Sequence, residues 1–286
     1  MILRYPVVGT ALLTALALLA FAANSLLCRL ALAPGRIDAA SFATLRVVAG
    51  AATLSLIVIP RWRNAAAANT DFRAATMLLI YMISFAYAYL SLATGTGALI
   101  LFGAVQLTMF VAAMRAGEPF PPLAWLGLSC ALLGLVYLVS PGLAAPDPAG
   151  AALMAVAGVA WGGYSLRGRH APDALVATAR NFLLIVPAVV AVSAVAIGSW
   201  HVTVLGSAYA IASGSIASGV GYVIWFAAVK RIRATTAATV QLAVPAIAAL
   251  GGAILLGEAV TLRLLVASAA TLGGIWLVLS QRVKTV

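Results

Sequence analysis

Apolar residues fall along this chain in ten long blocks with short polar interruptions between them. The blocks lie at roughly 7–28, 39–60, 74–93, 96–114, 121–140, 149–166, 174–198, 203–229, 235–256 and 261–280. Crossing ~30 Å of hydrocarbon takes about 20 apolar residues, because a helix rises about 1.5 Å per residue. Each block therefore predicts one crossing. In lipid the backbone must pair within its own segment, so the crossings are expected to be helices. The pattern predicts an all-α polytopic membrane protein with ten transmembrane helices. Composition agrees: 64% of the 286 residues are hydrophobic and 8% charged, with a mean hydropathy of +1.12. A soluble chain of this length needs more polar surface.

The net charge of +11 changes meaning once the charges are placed. With the amino terminus in the cytoplasm, Arg4, Arg61, Arg63, Arg73, Arg115, Arg167, Arg169, Lys230, Arg231, Arg233, Arg282 and Lys284 fall inside, 12 of the 17 basic residues. Arg36 and Arg263 lie in outer loops, and Arg29, Arg46 and Arg180 within spans or at their ends. This is the positive-inside asymmetry, and it puts both termini in the cytoplasm. No soluble segment presents a basic patch, so no nucleic-acid partner is expected. Cys28 and Cys130 lie in predicted spans and read as small buried residues without a disulfide. Arg4, the apolar run after it and Ala20-Phe21-Ala22 also have the outline of a signal peptide, although the run is long for a signal core.

The chain divides at Ser140–Pro148, SPGLAAPDP, into two units of five spans: residues 1–141, a linker at 142–148, and residues 149–286. Gly117-Glu118 matches Gly257-Glu258 at an offset of 140 residues, which also pairs Leu132 with Leu272 and Gly134 with Gly274. LLCR (Leu26–Arg29) aligns with YSLR (Tyr164–Arg167), and spans two and seven each carry one arginine, Arg46 and Arg180. A soft pattern in low-complexity sequence is the competing reading. As a duplication, the second copy must enter the membrane inverted, because five spans per unit is an odd number. Inverted repeats are a recurring transporter architecture, with solute bound near the midplane between the halves.

From Trp225 the sequence WFAAVKRIRATTAATVQLAVPAIAALGGAILLGEAVT resembles the second repeat of the EamA branch of the drug/metabolite transporter superfamily. The resemblance rests on the aromatic–Ala–basic helix end at Trp225–Lys230, small residues at Thr235–Thr239, the mid-span Pro245 and the closing Leu256–Glu258. The first half shows the same order more weakly at Tyr89–Gly97 and Gly117-Glu118, with Val105 where the second copy has Pro245. Within the family the chain is most similar to bacterial amino-acid exporters of the YddG type. The resemblance implies a bacterial inner-membrane location with both termini cytoplasmic. It implies a central cavity surrounded by spans one to four and six to nine. Spans five and ten would pack peripherally and often support dimers, so the protein is expected as a monomer or homodimer.

The acids Asp38, Asp71, Glu118, Asp147, Asp173 and Glu258, and both histidines, His170 and His201, map to loops or helix ends. Proton-coupled carriers usually hold an ionisable carboxylate or histidine inside the membrane. No metal-ligand cluster or embedded nucleophile–base group is visible. The expectation is a facilitative carrier without catalysis, cofactor or metal. Asn24, Ser84, Gln106, Thr108, Asn181 and Gln241 are uncharged polar residues within cavity-type spans. Each must bond a helix, water or ligand, because an unpaired buried amide costs roughly 1–3 kcal/mol. Span three offers Tyr81, Phe85, Tyr87 and Tyr89, span six Trp161 and Tyr164, and span eight Tyr222 and Trp225. Trp161 and Tyr164, three residues apart, share a helix face, and Gly162 and Gly163 leave room beside them. The expected solute-binding set is Asn24, Ser84, Gln106, Thr108, Trp161, Tyr164, Tyr222 and Gln241. Membrane-core packing is the competing reading for the aromatics, and bonding between helices for the amides.

Arg46 and Arg180 admit two readings: pairing with a solute carboxylate through the guanidinium fork, or a structural role. Pro245 removes a helical hydrogen bond and crowds the Gln241 carbonyl, so a kink is expected there. Gly251 and Gly252 permit close helix approach, and Pro187 predicts a second, merely structural kink. These features together predict an exporter of amino acids or similar small metabolites, embedded in the lipid bilayer and working by alternating access. Export of purines, pigments or toxic cations is the alternative within the class, and a non-transporting receptor or structural protein the alternative outside it.

Overall fold

A computed structural model describes residues 7–62, 71–118, 120–142, 144–169, 171–232 and 234–283. Arg4, Arg63, His170, Arg233, Lys284 and the Arg282 side chain lie outside the described residues. Ten helices span the described chain: α1 (Val7–Leu32), α2 (Ala39–Trp62), α3 (Phe72–Ala88), α4 (Thr94–Arg115) and α5 (Pro122–Val139), then α6 (Pro148–Gly168), α7 (Ala174–Val195), α8 (Val204–Val229), α9 (Ala234–Gln241, continued by Ala243–Leu256) and α10 (Leu262–Val283). All but α3 are long and apolar enough to cross a membrane. The 17 residues of α3 reach about 26 Å, and the helix stops five residues short of the expected 93. The chain turns there because the Tyr89 and Leu90 carbonyls accept hydrogen bonds from Arg29 on α1.

Local chemistry sets the ends of these helices. The carboxylates of Asp71, Asp147 and Asp173 accept from the exposed first-turn amides of α3, α6 and α7. Each such cap contributes roughly 1 kcal/mol. Pro148 is the first residue of α6, where its missing N–H costs nothing, so the connecting segment ends one residue before the expected 148. At the other kind of end, Gly117 and Gly257 close α4 and α9 with φ of 77° and 65°. Both are left-handed positions open to glycine at no steric cost.

Helix packing pairs α2 with α7, α4 with α9, and α5 with α10. It also sets α3 and α4 against α6, and α8 and α9 against α1. The α5–α10 crossing is built from small residues. A β-carbon on Gly134 would fall 2.5 Å from Thr271 Oγ1, and one on Gly274 would fall 2.7 Å from the Ala131 nitrogen. Thr271 Oγ1 also donates to the Ala131 carbonyl at 3.5 Å. Two of the helices depart from α geometry. In α8, residues Ser213–Val220 wind as a π-helix. In α9 the helix breaks at Leu242, three residues before Pro245, where the proline ring and its missing N–H interrupt the ladder.

Candidate functional site

A cavity of about 1540 Å³ enters the bundle from one end. Its walls come from α1–α4 and α6–α9, with no residue of α5 or α10 among the lining. At the open end α2, α6 and α8 finish and α3, α7 and α9 begin, with Asp71, Arg167, Asp173 and Lys230 at the rim. There Arg167 Nε donates to Asp71 Oδ2 at 2.7 Å, and Arg61 lies 3.9 Å from Asp173. Both pairs are well exposed. The Arg167 guanidinium beside Asp71 holds its carboxyl below the usual carboxylate range.

At the opposite end the bundle is shut. Glu258, just past α9, accepts from Arg29 Nε at 3.1 Å and from the Thr94 amide at 2.8 Å. It thereby ties α9 to the C-terminal end of α1 and the N-terminus of α4, where a negative charge also meets the helix dipole favourably. Arg29 in turn donates to the Tyr89 and Leu90 carbonyls, bringing in α3. Gly252 makes room for this fold-back, since a β-carbon there would strike the Glu258 carboxylate and Thr94.

The cavity walls are aromatic. Trp161 stacks on Tyr222 with ring centroids 5.5 Å apart and planes 17° from parallel, and lies 4.9 Å from Tyr81 and 5.4 Å from Tyr164. Such pairs contribute about 0.5–1.5 kcal/mol each beyond their area. Between the rings lie hydroxyls and amides. Tyr164 donates to Thr178 Oγ1 at 3.1 Å and lies 3.5 Å from the Asn181 amide. Gln106 is buried on α4 and lines the cavity. Gln241 also lines it, its amide 3.4 Å from its own helix at the Ala237 carbonyl.

Six of the expected residues thus meet at one cavity: Asn24, Gln106, Trp161, Tyr164, Tyr222 and Gln241. Ser84 and Thr108 do not line it. Thr108 bonds the Ala104 carbonyl one turn back and packs against Gly162, while Met77 packs against Gly163. The two glycines therefore seat neighbouring helices, and the space beside them is filled. Gly251 packs likewise on Leu26 of α1, and Pro187 is exposed on α7. Arg180 lines the cavity, its guanidinium 5.7 Å from the Trp62 ring. Phe21, Ser25, Phe102 and Met109 also line it. Sequence reasoning did not single these out, because nothing separates a cavity-facing phenylalanine from a packed one in an apolar run.

Arg46 occupies the closed end behind the Tyr81 wall, about 10 Å along α2 from Ala39. It has no exposed surface. Its Nη2 donates to Tyr81 Oη at 3.1 Å and lies 3.4 Å from Ser218 Oγ, and its guanidinium sits over the Tyr81 and Phe85 rings. Nε and Nη1 are buried with no hydrogen-bond partner, and no carboxylate pairs with it among the described residues. A charge at this depth costs roughly 2.5–3.5 kcal/mol on insertion scales.

Residues 148–280 match the EamA-like transporter family, a match confined to the half whose motifs are the clearer. The uncharacterized protein PA1977 of Pseudomonas aeruginosa is 46% identical over 273 residues, which cover 96% of this chain and 95% of that protein. A solved crystal structure superposes with a TM-score of 0.62 over 94% of this chain and 96% of its own, at 19% identity, and so shares the fold. With an all-helical, multi-pass architecture folded around a one-ended cavity, the chain carries an EamA-like transporter family domain over residues 148–280.

Proposed function

We propose that the protein is an inner-membrane exporter of small metabolites, foremost amino acids with apolar or aromatic side chains. It works by alternating access between two inverted five-helix halves, residues 1–141 and 149–286, joined by 142–148. One observation carries this reading: a solute-sized, aromatic and amide-lined cavity opens at one end only and stops at a charge-paired closure. Pockets for small molecules are commonly ~300–1,000 Å³, so the volume admits an amino acid together with water.

Packing between the halves supports the inversion. Matching spans one to five with six to ten makes the α2–α7, α4–α9 and α5–α10 contacts self-equivalent, and makes α3–α6 and α4–α6 the counterparts of α1–α8 and α1–α9. The contact of Gly134 with Thr271 is mirrored by that of Ala131 with Gly274, each residue shifted by the offset of 140 read in the sequence. Orientation follows from charge. The open end carries Arg61, Arg73, Arg115, Arg167, Arg169, Lys230 and Arg231, the closed end Arg29, Arg36 and Arg263, so the positive-inside rule supports a cytoplasmic location for both termini and the open mouth. The structure is then the inward-open state, ready to load solute for export.

All six acids lie at helix ends or in loops, which favours a facilitative cycle over proton coupling. Purified protein in liposomes should show counterflow of one or more members of an amino-acid panel. An imposed pH gradient should leave the rate unchanged. Folded protein that moves no solute in any panel would return the reading to a non-transporting membrane protein.

A further inference from the structure

The closed end of the cavity holds a buried cation that no protein acid neutralises, and we propose that it selects solutes bearing a carboxylate and rejects cationic ones. The proposal rests on the transport reading above for the cavity's role, and names the chemical class the cavity takes.

Tyr81 lines the cavity, and its hydroxyl is held by two donors. It accepts from Arg46 Nη2 at 3.1 Å and lies 3.5 Å from the Asn24 amide nitrogen. Asn24 is itself fixed, its side-chain oxygen accepting from Ser213 Oγ at 2.5 Å. Two donors on one phenol oxygen leave its own proton to be given outward, and a donor backed by a cation is a strong one for an anion. The π-helical segment of α8 makes this arrangement possible. Its i→i+5 winding brings Ser213 and Ser218 toward one face, where one serine holds Asn24 and the other meets Arg46.

The field along the cavity has the same sign. Its lining holds Arg61, Arg167, Arg169, Arg180, Lys230 and Arg231 against the two carboxylates of Asp71 and Asp173, and all eight lie toward the mouth. Deeper in, the lining groups are rings, hydroxyls and amides, with no carboxylate to receive an ammonium. With six basic groups against two acids in the lining, the net field favours an anion over a cation on entry, although the ring faces deeper in also attract cations. The aromatic walls of Trp161, Tyr164 and Tyr222 accept a flat apolar body beside the acid group. Tyr81 contacts the solute, and Arg46 is a positioning residue acting through it.

The test uses three probes that share a phenyl ring and differ in charge: phenylpyruvate, phenylalanine and phenethylamine. Binding to the purified protein is measured by calorimetry, and counterflow in liposomes is followed in parallel. Both carboxylates should bind at least ten-fold more tightly than the amine. Tyr81→Phe, which keeps the ring, should lower carboxylate affinity about ten-fold and leave the amine unchanged. Arg46→Lys should keep the charge preference and Arg46→Gln lose it, with folded yield checked for each by size exclusion. Equal or tighter binding of phenethylamine, no binding of any probe, or an unchanged preference in both Tyr81→Phe and Arg46→Gln overturns the proposal. Selective carboxylate binding without counterflow would uphold it and instead remove the transport reading.

Discussion

Two Gly-Glu corners stand at opposite ends of the molecule and do different things. Gly117-Glu118 ends α4 and Gly257-Glu258 ends α9, each with the glycine at positive φ and the glutamate amide reaching back to a carbonyl of the last turn. The backbone geometry is shared. Yet Glu258 is folded under the helix ends, holding Arg29 and the Thr94 amide, while Glu118 is exposed at the open end. The same Gly-Glu sequence thus stands at the closed end and at the open end of the cavity. Closure at Glu258 therefore comes from the Arg29 side chain and Thr94 amide that it meets, since the backbone corner is the same at both ends.

The largest expected effect comes from breaking the closed corner. Arg29 and Glu258 are both mostly buried, and removing one partner of such a pair strands the other, at about 3 kcal/mol. Glu258→Gln should therefore lower thermal stability markedly and let a thiol reagent reach the closed end of the cavity. The swap Arg29→Glu with Glu258→Arg should recover part of the loss, read as a coupling in a double-mutant cycle. Glu118→Gln should change stability by less than about 0.5 kcal/mol in the same conformation. Equal effects at the two glutamates would remove this asymmetry.

Next in size are the glycines. Gly257→Ala and Gly117→Ala should each cost about 1 kcal/mol for the left-handed backbone, but only Gly257→Ala should also loosen the closed end. Gly252→Ala crowds the Glu258 carboxylate and Thr94, so it should cost about 1–3 kcal/mol by overpacking. Denaturation in detergent with thiol-accessibility readout separates the backbone cost from the loosening.

Trp161→Ala should change which solutes compete in counterflow by roughly ten-fold while folded yield stays close to that of the parent. Falling yield with unchanged preference would make Trp161 a packing residue. The smallest effect belongs to the mouth. Asp71 is held below the usual carboxylate range by Arg167, so its contribution is present above the unfolded-state value and is lost only as pH falls through the lower folded value. Between pH 7 and pH 5 the mouth should therefore be insensitive. Asp71→Asn, which breaks an exposed pair, should shift stability by under about 1 kcal/mol, seen as a small change in melting temperature.

The ten crossings, the break beside Gln241 and the two Gly-Glu corners were legible in the sequence. Each follows from local or one-dimensional physics: hydrocarbon thickness, a proline's missing N–H, a glycine's freedom at positive φ. The charge distribution predicts an orientation by the positive-inside rule, which is independent of any contact. Which residues face the cavity was legible only in part. Asn24, Gln106 and Trp161 meet there with Tyr164, Tyr222 and Gln241, but Ser84 and Thr108 do not, and Phe21 and Phe102 do. A helix that is apolar on every side carries little periodic signal to say which face meets lipid, a neighbour or a void. The Arg29–Glu258 pair joins positions 229 residues apart, and the donor behind Tyr81 needs α1, α2, α3 and α8 to converge. Composition and periodicity thus determined the solvent and the succession of apolar helices, because each crossing answers to the bilayer on its own. The closed end, the cavity wall and the unpaired cation behind it were decided by tertiary packing, because they exist only where separate helices meet.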